Sequence, residues 1–439
     1  MGSKATKFLW FLMGLGSQLQ IMGSLSISEV LTLMLAPGYF LKECNEMKRD
    51  GVWQFFVLSL FVNVGCIIAS AVNKTELAYA LRGLAATVLM STSIVVVHRL
   101  IRKDMMGFRW MIFGAFLSGF ICLFVFKKQA EMVMLGESVE DIMGGPIFWI
   151  SRLKPIVLLP ISGWYLQTPL LYGIVVPILF AIFSLYISTS GRSAALALLA
   201  ISCLVTIGRK RLRTMSLLSR HFYLFGMFAI VGLLIINMLY GYLARHEVFG
   251  AKFTEKYEHQ TQEGRDIISL IVKGRAESFV GLWACVDKPI VGWGPWAMDV
   301  DGYYENFLRK YGSLEDYMYY LAVRRNNLLT SIREYPSIPA HSHITEFWLW
   351  FGLPGLVFIL YSLFVILRYV KQDLIAVPQW YGWLLCGVPG MLWSICFSAL
   401  SNRIVLPTFI VACLIARAVR KGRFRLPLEM EREIVKYAR

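Results

Sequence analysis

The stretch AHSHITEFWLWFGLPG, from Ala340 to Gly355, ends a long polar segment and begins an apolar helix. The polar segment starts near Ala244 and is dense in charged and aromatic side chains, whereas the remaining sequence mostly alternates apolar runs with short connectors. Connections in compact folds are usually about four to six residues long, so an insertion of this length indicates a lid or a binding site. We expect the apolar runs to hold residues 244–340 at a membrane surface.

The composition is that of a membrane protein. Of 439 residues, 57% are hydrophobic and 16% are charged, and the mean hydropathy is +0.59. Soluble domains are about 45–50% apolar and about 25% charged. The net charge of +16 comes from lysines and arginines scattered between apolar runs, which argues against a nucleic-acid-binding face. Such residues collect in the cytoplasmic loops of membrane proteins, so the charge indicates topology.

A spanning helix needs about 20 mostly apolar residues, and the sequence contains about twelve candidates. They are residues 7–23, 26–41, 53–72, 78–98, 107–126, 146–166, 169–187, 193–208, 221–243, 343–367, 380–399 and 402–418. The basic segments 98–109 and 208–220 and the tail after Arg417 should all be cytoplasmic. The chain between segments 98–109 and 208–220 must therefore cross the membrane an even number of times. The runs 107–126, 169–187 and 193–208 give three crossings, so 146–166 must supply the fourth, although basic residues and prolines interrupt it. Segment 244–340 is then extracytoplasmic.

The predicted fold class is therefore all-α: a polytopic membrane protein with about twelve transmembrane helices and one large helical periplasmic loop. Residues 1–243 contain helices 1–9, residues 244–340 form the loop, residues 341–418 contain helices 10–12, and residues 419–439 form a basic cytoplasmic tail. Within the loop, two helical segments flank a break at DKPIVGWGP, residues 287–295.

Neither a disulfide nor a metal site is predicted for the loop. Of eight cysteines only Cys285 lies in the polar segment, and the chain has no CxxC motif. His341 and His343 lack cysteines or carboxylates at ligand spacing. We expect no metal and no cofactor. We also expect no cleavable signal peptide, because the first apolar run lacks a small-residue cleavage site.

Two arginines stand where an anion could be bound. Arg192, in STSGRSAALALLA (residues 188–200), lies at the mouth of an apolar helix, although such arginines more often reach the membrane interface without binding anything. Arg275, with Glu277, opens a helix that ends in the turn Pro-x-x-Gly-x-Gly. The alternative for this pair is a surface salt bridge.

The third feature is His341-Ser-His343-x-x-Glu346. A histidine at a membrane interface is often only a polar tip in the headgroup region, but its pKa of about 6.5 also suits it to exchange protons at neutral pH. Guanidinium groups bind diphosphate oxygens bidentately, so two arginines and one histidine would suit attack by a hydroxyl on a diphosphate-linked donor. Arg82, within the fourth predicted span, is a further candidate because charges buried in a membrane are usually functional.

The order and spacing of these residues resemble the O-antigen ligase/polymerase family of polytopic bacterial membrane proteins. The similarity covers residues 185–364 and rests on three motifs. They are Ser190-Gly191-Arg192-Ser193; Arg275, Trp283, Pro289, Gly292 and Gly294; and His341-Ser342 followed by Gly352-Leu-Pro-Gly355. The spacing to the last motif favours His341 over His343 as the family's histidine.

The resemblance implies a metal-independent, inverting glycosyltransferase of the GT-C type in the bacterial inner membrane. Its donor would be a glycan on undecaprenyl diphosphate, held by Arg192 and Arg275, and His341 would orient or deprotonate the acceptor hydroxyl. The further substrate-binding residues that we predict are Arg82, Arg265, Trp293, His343 and Glu346.

Several functions remain open at this stage. The acceptor would be lipid A–core for a ligase, which we favour slightly, or another lipid-linked glycan for a polymerase. A lipid-linked glycan transporter would need charges in several spans, whereas Arg82 is nearly alone within one. A non-enzymatic scaffold would leave the two arginines and the histidine without a role. The predicted partners are the donor, the acceptor and the lipid bilayer, without nucleic acid.

Overall fold

The computed structural model describes residues 4–17, 19–22, 25–124, 276–311, 337–340, 342–373, 376–397 and 403–426, and the single residues Val175, Ile178, Leu179, Tyr242 and His246. This part of the chain is mostly helical, as predicted. Its helices are α1 (Lys4–Leu15), α2 (Ile27–Asp50), α3 (Trp53–Val72), α4 (Leu77–Lys103), α5 (Phe108–Phe124), α6 (Ala276–Asp287), α7 (Tyr303–Tyr311), α8 (His343–Phe351), α9 (Leu353–Arg368), α10 (Pro378–Phe397) and α11 (Val405–Arg420). A π-helical turn, Tyr369–Asp373, extends α9.

Two of the predicted spans differ in the structure. The first, 7–23, is wrong, because α1 ends at Leu15 and a short antiparallel hairpin of β1 (Gln20–Met22) and β2 (Leu25–Ser26) follows. Glycine and polar residues between the apolar side chains of this segment stop the helix. The tenth, 343–367, is divided at Gly352 into α8 and α9.

The other described spans lie close to their predicted positions. Helix α3 has the predicted bounds, and α4, α5, α10 and α11 lie within a few residues of theirs. Helix α2 extends beyond its predicted span, to Asp50. The predicted spans between residues 146 and 243 lie outside the described residues except for Val175, Ile178, Leu179 and Tyr242.

Three helical segments are long and apolar enough to cross a membrane: Trp53–Val72, Leu77–Lys103 and His343–Asp373. At 1.5 Å per residue α3 is about 30 Å long, which equals the thickness of a bilayer's hydrocarbon core. Helix α9 exposes apolar side chains every three or four residues, at Leu353, Val357, Leu360, Phe364 and Leu367. Its opposite face is buried, so the exposed stripe has the character of a lipid-facing surface.

Helices α3 and α9 pack against each other in antiparallel directions. The rings of Phe55 and Phe358 stack with their centroids 4.9 Å apart. Near the other end of the pair, a Cβ added to Gly65 would lie only 2.8 Å from the carbonyl oxygen of Phe351. The absence of a side chain at Gly65 therefore lets α3 approach the break between α8 and α9.

A buried ionic cluster joins α2 to α4. The imidazole of His98 lies between two fully buried carboxylates, with Nδ1 2.9 Å from Glu43 and Nε2 3.1 Å from Asp50. Arg99 pairs with Glu43, and Arg102 donates to Asp50 at 2.7 Å. Each of the two buried carboxylates thus contacts His98 and one arginine, so both negative charges are paired.

The two basic segments that the described residues include lie together at one end of the helices. Arg102, in segment 98–109, has its guanidinium 5.5 Å from the ring centroid of Phe424, which follows α11. Arg420 of α11 pairs with Asp373 in the π-helical turn. We call this the basic end. The α3–α4 connection, residues 73–76, lies at the opposite end of α3 and α4.

We predict that His98→Ala lowers the free energy of unfolding by about 3 kcal/mol, because it leaves two buried carboxylates without their shared partner. The measurement is denaturant unfolding of the purified protein in detergent. Arg49→Ala is the control: its side chain is 51% exposed, and although it contacts Glu46 and Asp50 it should change stability by less than about 1 kcal/mol. Equal stabilities of the two variants would contradict a stabilising role for His98 in the ionic cluster.

Candidate functional site

The histidine motif begins α8, and Ser342 caps this helix. Ser342 has an extended backbone, and its Oγ accepts a hydrogen bond of 3.0 Å from the amide of Thr345. His343 is the first helical residue and Glu346 lies one turn later, so both lie on one face, and both are buried. His341, immediately before the cap, lies outside the described residues.

The two glycine motifs of the sequence pack directly against each other. Gly292, in the turn after α6, and Gly352, between α8 and α9, both have positive φ values, +76° and +64°. A Cβ on Gly292 would lie 2.6 Å from the backbone nitrogen of Gly352. A Cβ on Gly352 would lie 2.1 Å from the carbonyl oxygen of Ile290. Only glycine satisfies both the conformation and the close approach at these positions.

Backbone hydrogen bonds hold this contact in register. The amide of Trp293 donates to Leu349 at 2.6 Å, and the amide of Leu353 donates to Ile290 at 2.8 Å. The indole of Trp348 also donates to the carbonyl of Pro289, at 2.9 Å. The turn 289–293 is therefore fixed to the end of α8 by bonds in both directions.

Helix α6 packs against both sides of the histidine motif. Gly281 lies in contact with the residues just before His341, since its added Cβ would be 2.8 Å from the carbonyl oxygen of Pro339 and 3.6 Å from Cα of Ala340. The same position is 3.3 Å from Cβ of Thr345. The helix that begins one residue after Arg275 thus runs beside the chain that flanks His341.

A polar contact connects the turn after α6 to the end of α3. Asn73 donates from Nδ2 to the carbonyl of Gly292 at 3.0 Å, and its Oδ1 accepts from Nζ of Lys288 at 2.6 Å. The ammonium of Lys288 also lies 3.7 Å from the ring centroid of Trp293. Trp293 donates its indole N–H to Ala284 at 2.8 Å.

A second tryptophan contacts α4. Trp296 has a φ of +51°, which is uncommon for a bulky residue, and its ring lies 4.4 Å from that of Trp350. The guanidinium of Arg82 is 4.4 Å from the centroid of Trp296. Beside it, Gly83 leaves room for Pro295, which an added Cβ would meet at 2.2 Å. Residues 295–296, which follow the turn after α6, thus pack against the start of α4.

These contacts enclose a cavity of about 170 Å³ that we call the tryptophan cleft. Its lining includes Asn73, Lys74, Glu76, Tyr79, Lys288, Trp293 and Trp296. The cleft places lysine ammonium groups and indole faces together, with one carboxylate. Cations suit phosphate oxygens, and aromatic faces suit apolar or ring-shaped groups, so the cleft is suited to an anionic amphiphile.

The structure corrects one prediction about Arg82. It is not a charge buried in the middle of a span, because it lies in the second turn of α4 with an exposed side chain. The cause is that α4 begins at Leu77, so residue 82 is near the helix end and can reach Trp296. His343, Glu346 and Trp293 lie around the α8 motif and the turn after α6. Arg192, Arg265, Arg275 and His341 lie outside the described residues.

Of the lining residues named above, only Trp293 was predicted from the sequence. Asn73 and Lys288 are 215 positions apart, so no local pattern could pair them. Trp296 lies two residues after the last glycine of the Pro-x-x-Gly-x-Gly turn, and no local pattern distinguishes it from the other tryptophans of the loop. A signal did exist for Lys288, because it directly precedes the Pro-x-x-Gly-x-Gly turn.

Two groups near the site have shifted pKa values. Burial raises the pKa of the Cys285 thiol to about 12, so this residue stays protonated at neutral pH and is a poor nucleophile. Burial also raises the pKa of Asp299, although its carboxylate accepts from the amides of Tyr303 and Tyr304 at 2.8 and 2.9 Å. Asp299 therefore acts as a cap for α7. Across the described ranges, no group of three His, Cys, Asp or Glu side chains is arranged to hold a metal.

The chain matches no protein-family model and no curated protein. The arrangement of the residues described above is therefore the basis for assigning a function.

We predict that Gly352→Ala lowers the midpoint of thermal unfolding and exposes the turn 289–293 to protease, because the new Cβ collides with Ile290. The cost should be about 2 kcal/mol or more, from overpacking and positive φ together. Gly38→Ala is the matched control, since it lies in α2 with open space around it and should be neutral or slightly stabilising. Unchanged protease sensitivity in Gly352→Ala would contradict the contact.

Proposed function

We propose that this protein is a membrane glycosyltransferase that transfers an undecaprenyl-diphosphate-linked glycan to an acceptor on the periplasmic face, in the manner of an O-antigen ligase. The observation that carries the proposal is the contact of Gly292 with Gly352. It brings together two of the three motifs that resemble the ligase/polymerase family, and it does so through the glycines that define them.

The packing around this contact supports a shared site. Helix α6 follows Arg275 directly, and its Gly281 touches Ala340, the neighbour of His341. This packing supports a site to which Arg275, just before α6, and His341, just before α8, would both contribute. The third motif, around Arg192, is the part of the proposal for which the described residues give no support.

The chemistry would proceed by displacement at the anomeric carbon of the donor sugar. His341 would accept the proton of the acceptor hydroxyl as its oxygen forms the new glycosidic bond. The bond to the diphosphate oxygen breaks, and undecaprenyl diphosphate leaves with the electron pair. Arg192 and Arg275 would stabilise the charge that develops on this leaving group. Attack on the face opposite the diphosphate inverts the anomeric configuration.

The tryptophan cleft would bind a part of the donor near the diphosphate. Lys288 and Lys74 supply positive charge there, and Trp293 supplies an aromatic face. The cleft lies at the end of α3 and α4 opposite the basic end, which fits a periplasmic site if basic segments are cytoplasmic.

The lipid-linked glycan transporter is less well supported than an enzyme. Transport would need charges lining a path through the middle of the membrane. Within the described helices, the His98 cluster lies near the C-terminal ends of α2 and α4, and Arg82 lies near the start of α4. The described charges therefore concentrate near helix ends.

We predict that Arg275→Ala and His341→Ala each reduce glycan transfer at least about hundredfold, because each removes a group that acts in the transition state. The assay uses the purified full chain in liposomes with an undecaprenyl-diphosphate glycan and lipid A–core. Arg309→Ala is the control: this loop arginine is 61% exposed and pairs with Glu305, so it should retain activity. Full activity of either test variant would refute the site.

Lipopolysaccharide from a deletion strain distinguishes the two acceptors. A ligase is indicated if all bands that carry repeat units disappear from the gel. A polymerase is indicated if a single repeat unit remains on the core. Unchanged lipopolysaccharide, together with an inactive purified protein, would contradict both activities.

We also predict that Arg82→Gln raises the KM for the donor roughly fivefold and leaves kcat nearly unchanged, because it removes one exposed charge beside the cleft. Steady-state kinetics with varied donor tests this expectation. Arg309→Gln serves as the comparison, because Arg309 is exposed and does not line the cleft. A fall in kcat without a change in KM would mean that Arg82 does not act through donor binding.

A further inference from the structure

The basic end contains a second cavity, of about 330 Å³. It lies between the α2–α3 connection and the C-terminal end of α11, and thus far from the tryptophan cleft. The residues used below are Lys48, Asp50, Trp53, Arg417, Lys421 and Arg423, all of which line it. No part of the proposed transfer reaction uses this cavity.

The cavity has a surplus of positive charge. Four cations line it, and Asp50 is the one carboxylate among its lining residues. Asp50 is already bound by Arg102 at 2.7 Å and by His98 at 3.1 Å. Within the part of the chain that the structure describes, Lys421 and Arg423 form no ion pair with a carboxylate. The nearby Asp373 pairs with Arg420.

The cations are close enough to disfavour one another. The pKa of Lys421 is lowered, chiefly because Arg417 lies beside it, with smaller contributions from desolvation and from Arg423. The four cations repel one another, the carboxylate of Asp50 is already paired with Arg102 and His98, and an anion that enters the cavity would relieve this repulsion. The cavity is therefore preorganised for an anionic group.

The position of the cavity selects the kind of anion. Trp53 begins α3, one of the helices long and apolar enough to span a membrane, so the cavity lies where that helix would leave the hydrocarbon core. Its ring lies 5.1 Å from the ammonium of Lys48. Tryptophan and basic residues together are typical of the headgroup level of a bilayer. Anionic lipid headgroups accumulate at cytoplasmic basic segments of this kind.

We propose that the cavity at the basic end binds the phosphate group of an anionic phospholipid, with Lys421 and Arg423 as its principal contacts. The phosphate oxygens accept hydrogen bonds from the ammonium and guanidinium groups, and the acyl chains lie along the apolar surface of α3. This binding would fix the depth of the basic end in the membrane independently of glycan transfer.

The test compares two charge-matched double variants of the full chain. Lys421→Gln/Arg423→Gln removes two lining cations, whereas Lys42→Gln/Arg425→Gln removes two exposed cations that do not line the cavity. Each protein is reconstituted in nanodiscs of phosphatidylcholine with phosphatidylglycerol and transferred to detergent. Native mass spectrometry then measures the retained phosphatidylglycerol. Thermal unfolding verifies that all proteins are folded.

We expect retention to fall roughly 25-fold in the lining variant, about fivefold for each charge, and to change little in the matched control. Competition with inorganic phosphate identifies the source of the anion: displacement of phosphatidylglycerol only by other anionic lipids supports a headgroup site. Displacement by inorganic phosphate at low concentration supports a phosphate site that lipids merely share. Equal retention in the two variants, or equal loss from both, would overturn the proposal.

Discussion

The structure depends on the close approach of two backbones at Gly292 and Gly352. One glycine ends a turn of the polar loop and the other separates two apolar helices, and neither position has room for a Cβ. The hydrogen bonds of Trp293 and Leu353 cross the same contact in opposite directions. Through this junction the turn 289–293 is held against α8 and against the end of α3.

Much of the helical framework could be predicted from hydropathy, because a helix that crosses a membrane is apolar over about 20 residues. Helix α3 has its predicted bounds for this reason. The predicted span 7–23 is wrong for the opposite reason. The mean hydropathy of these residues is high, but it conceals the glycines and polar residues that end α1 at Leu15. The sequence showed Gly352 as part of a glycine motif but did not predict that the helix breaks there. The conformation of Gly352 depends on its contact with Gly292, sixty residues earlier.

The candidate site was predictable to the extent that its residues are close in sequence. The cap at Ser342 and the turn at Gly292 follow from local patterns of residue types. The pairing of Asn73 with Lys288 and of Arg82 with Trp296 does not, because each joins segments more than two hundred residues apart. The buried cluster around His98 was missed for a different reason: Glu43, Asp50, Arg99 and Arg102 lie in segments that were predicted as connectors, and His98 is the last residue of a predicted span.

Helix α4 connects the tryptophan cleft to the buried ionic cluster. It carries Arg82 beside the tryptophan cleft and His98 in the ionic cluster, sixteen residues or about 24 Å farther along a continuous helix. The ion pairs of the cluster fix this end of α4 against α2. The distance between the tryptophan cleft and the ionic cluster is therefore set by the length of α4, so a change at one of them cannot alter their separation without bending this helix.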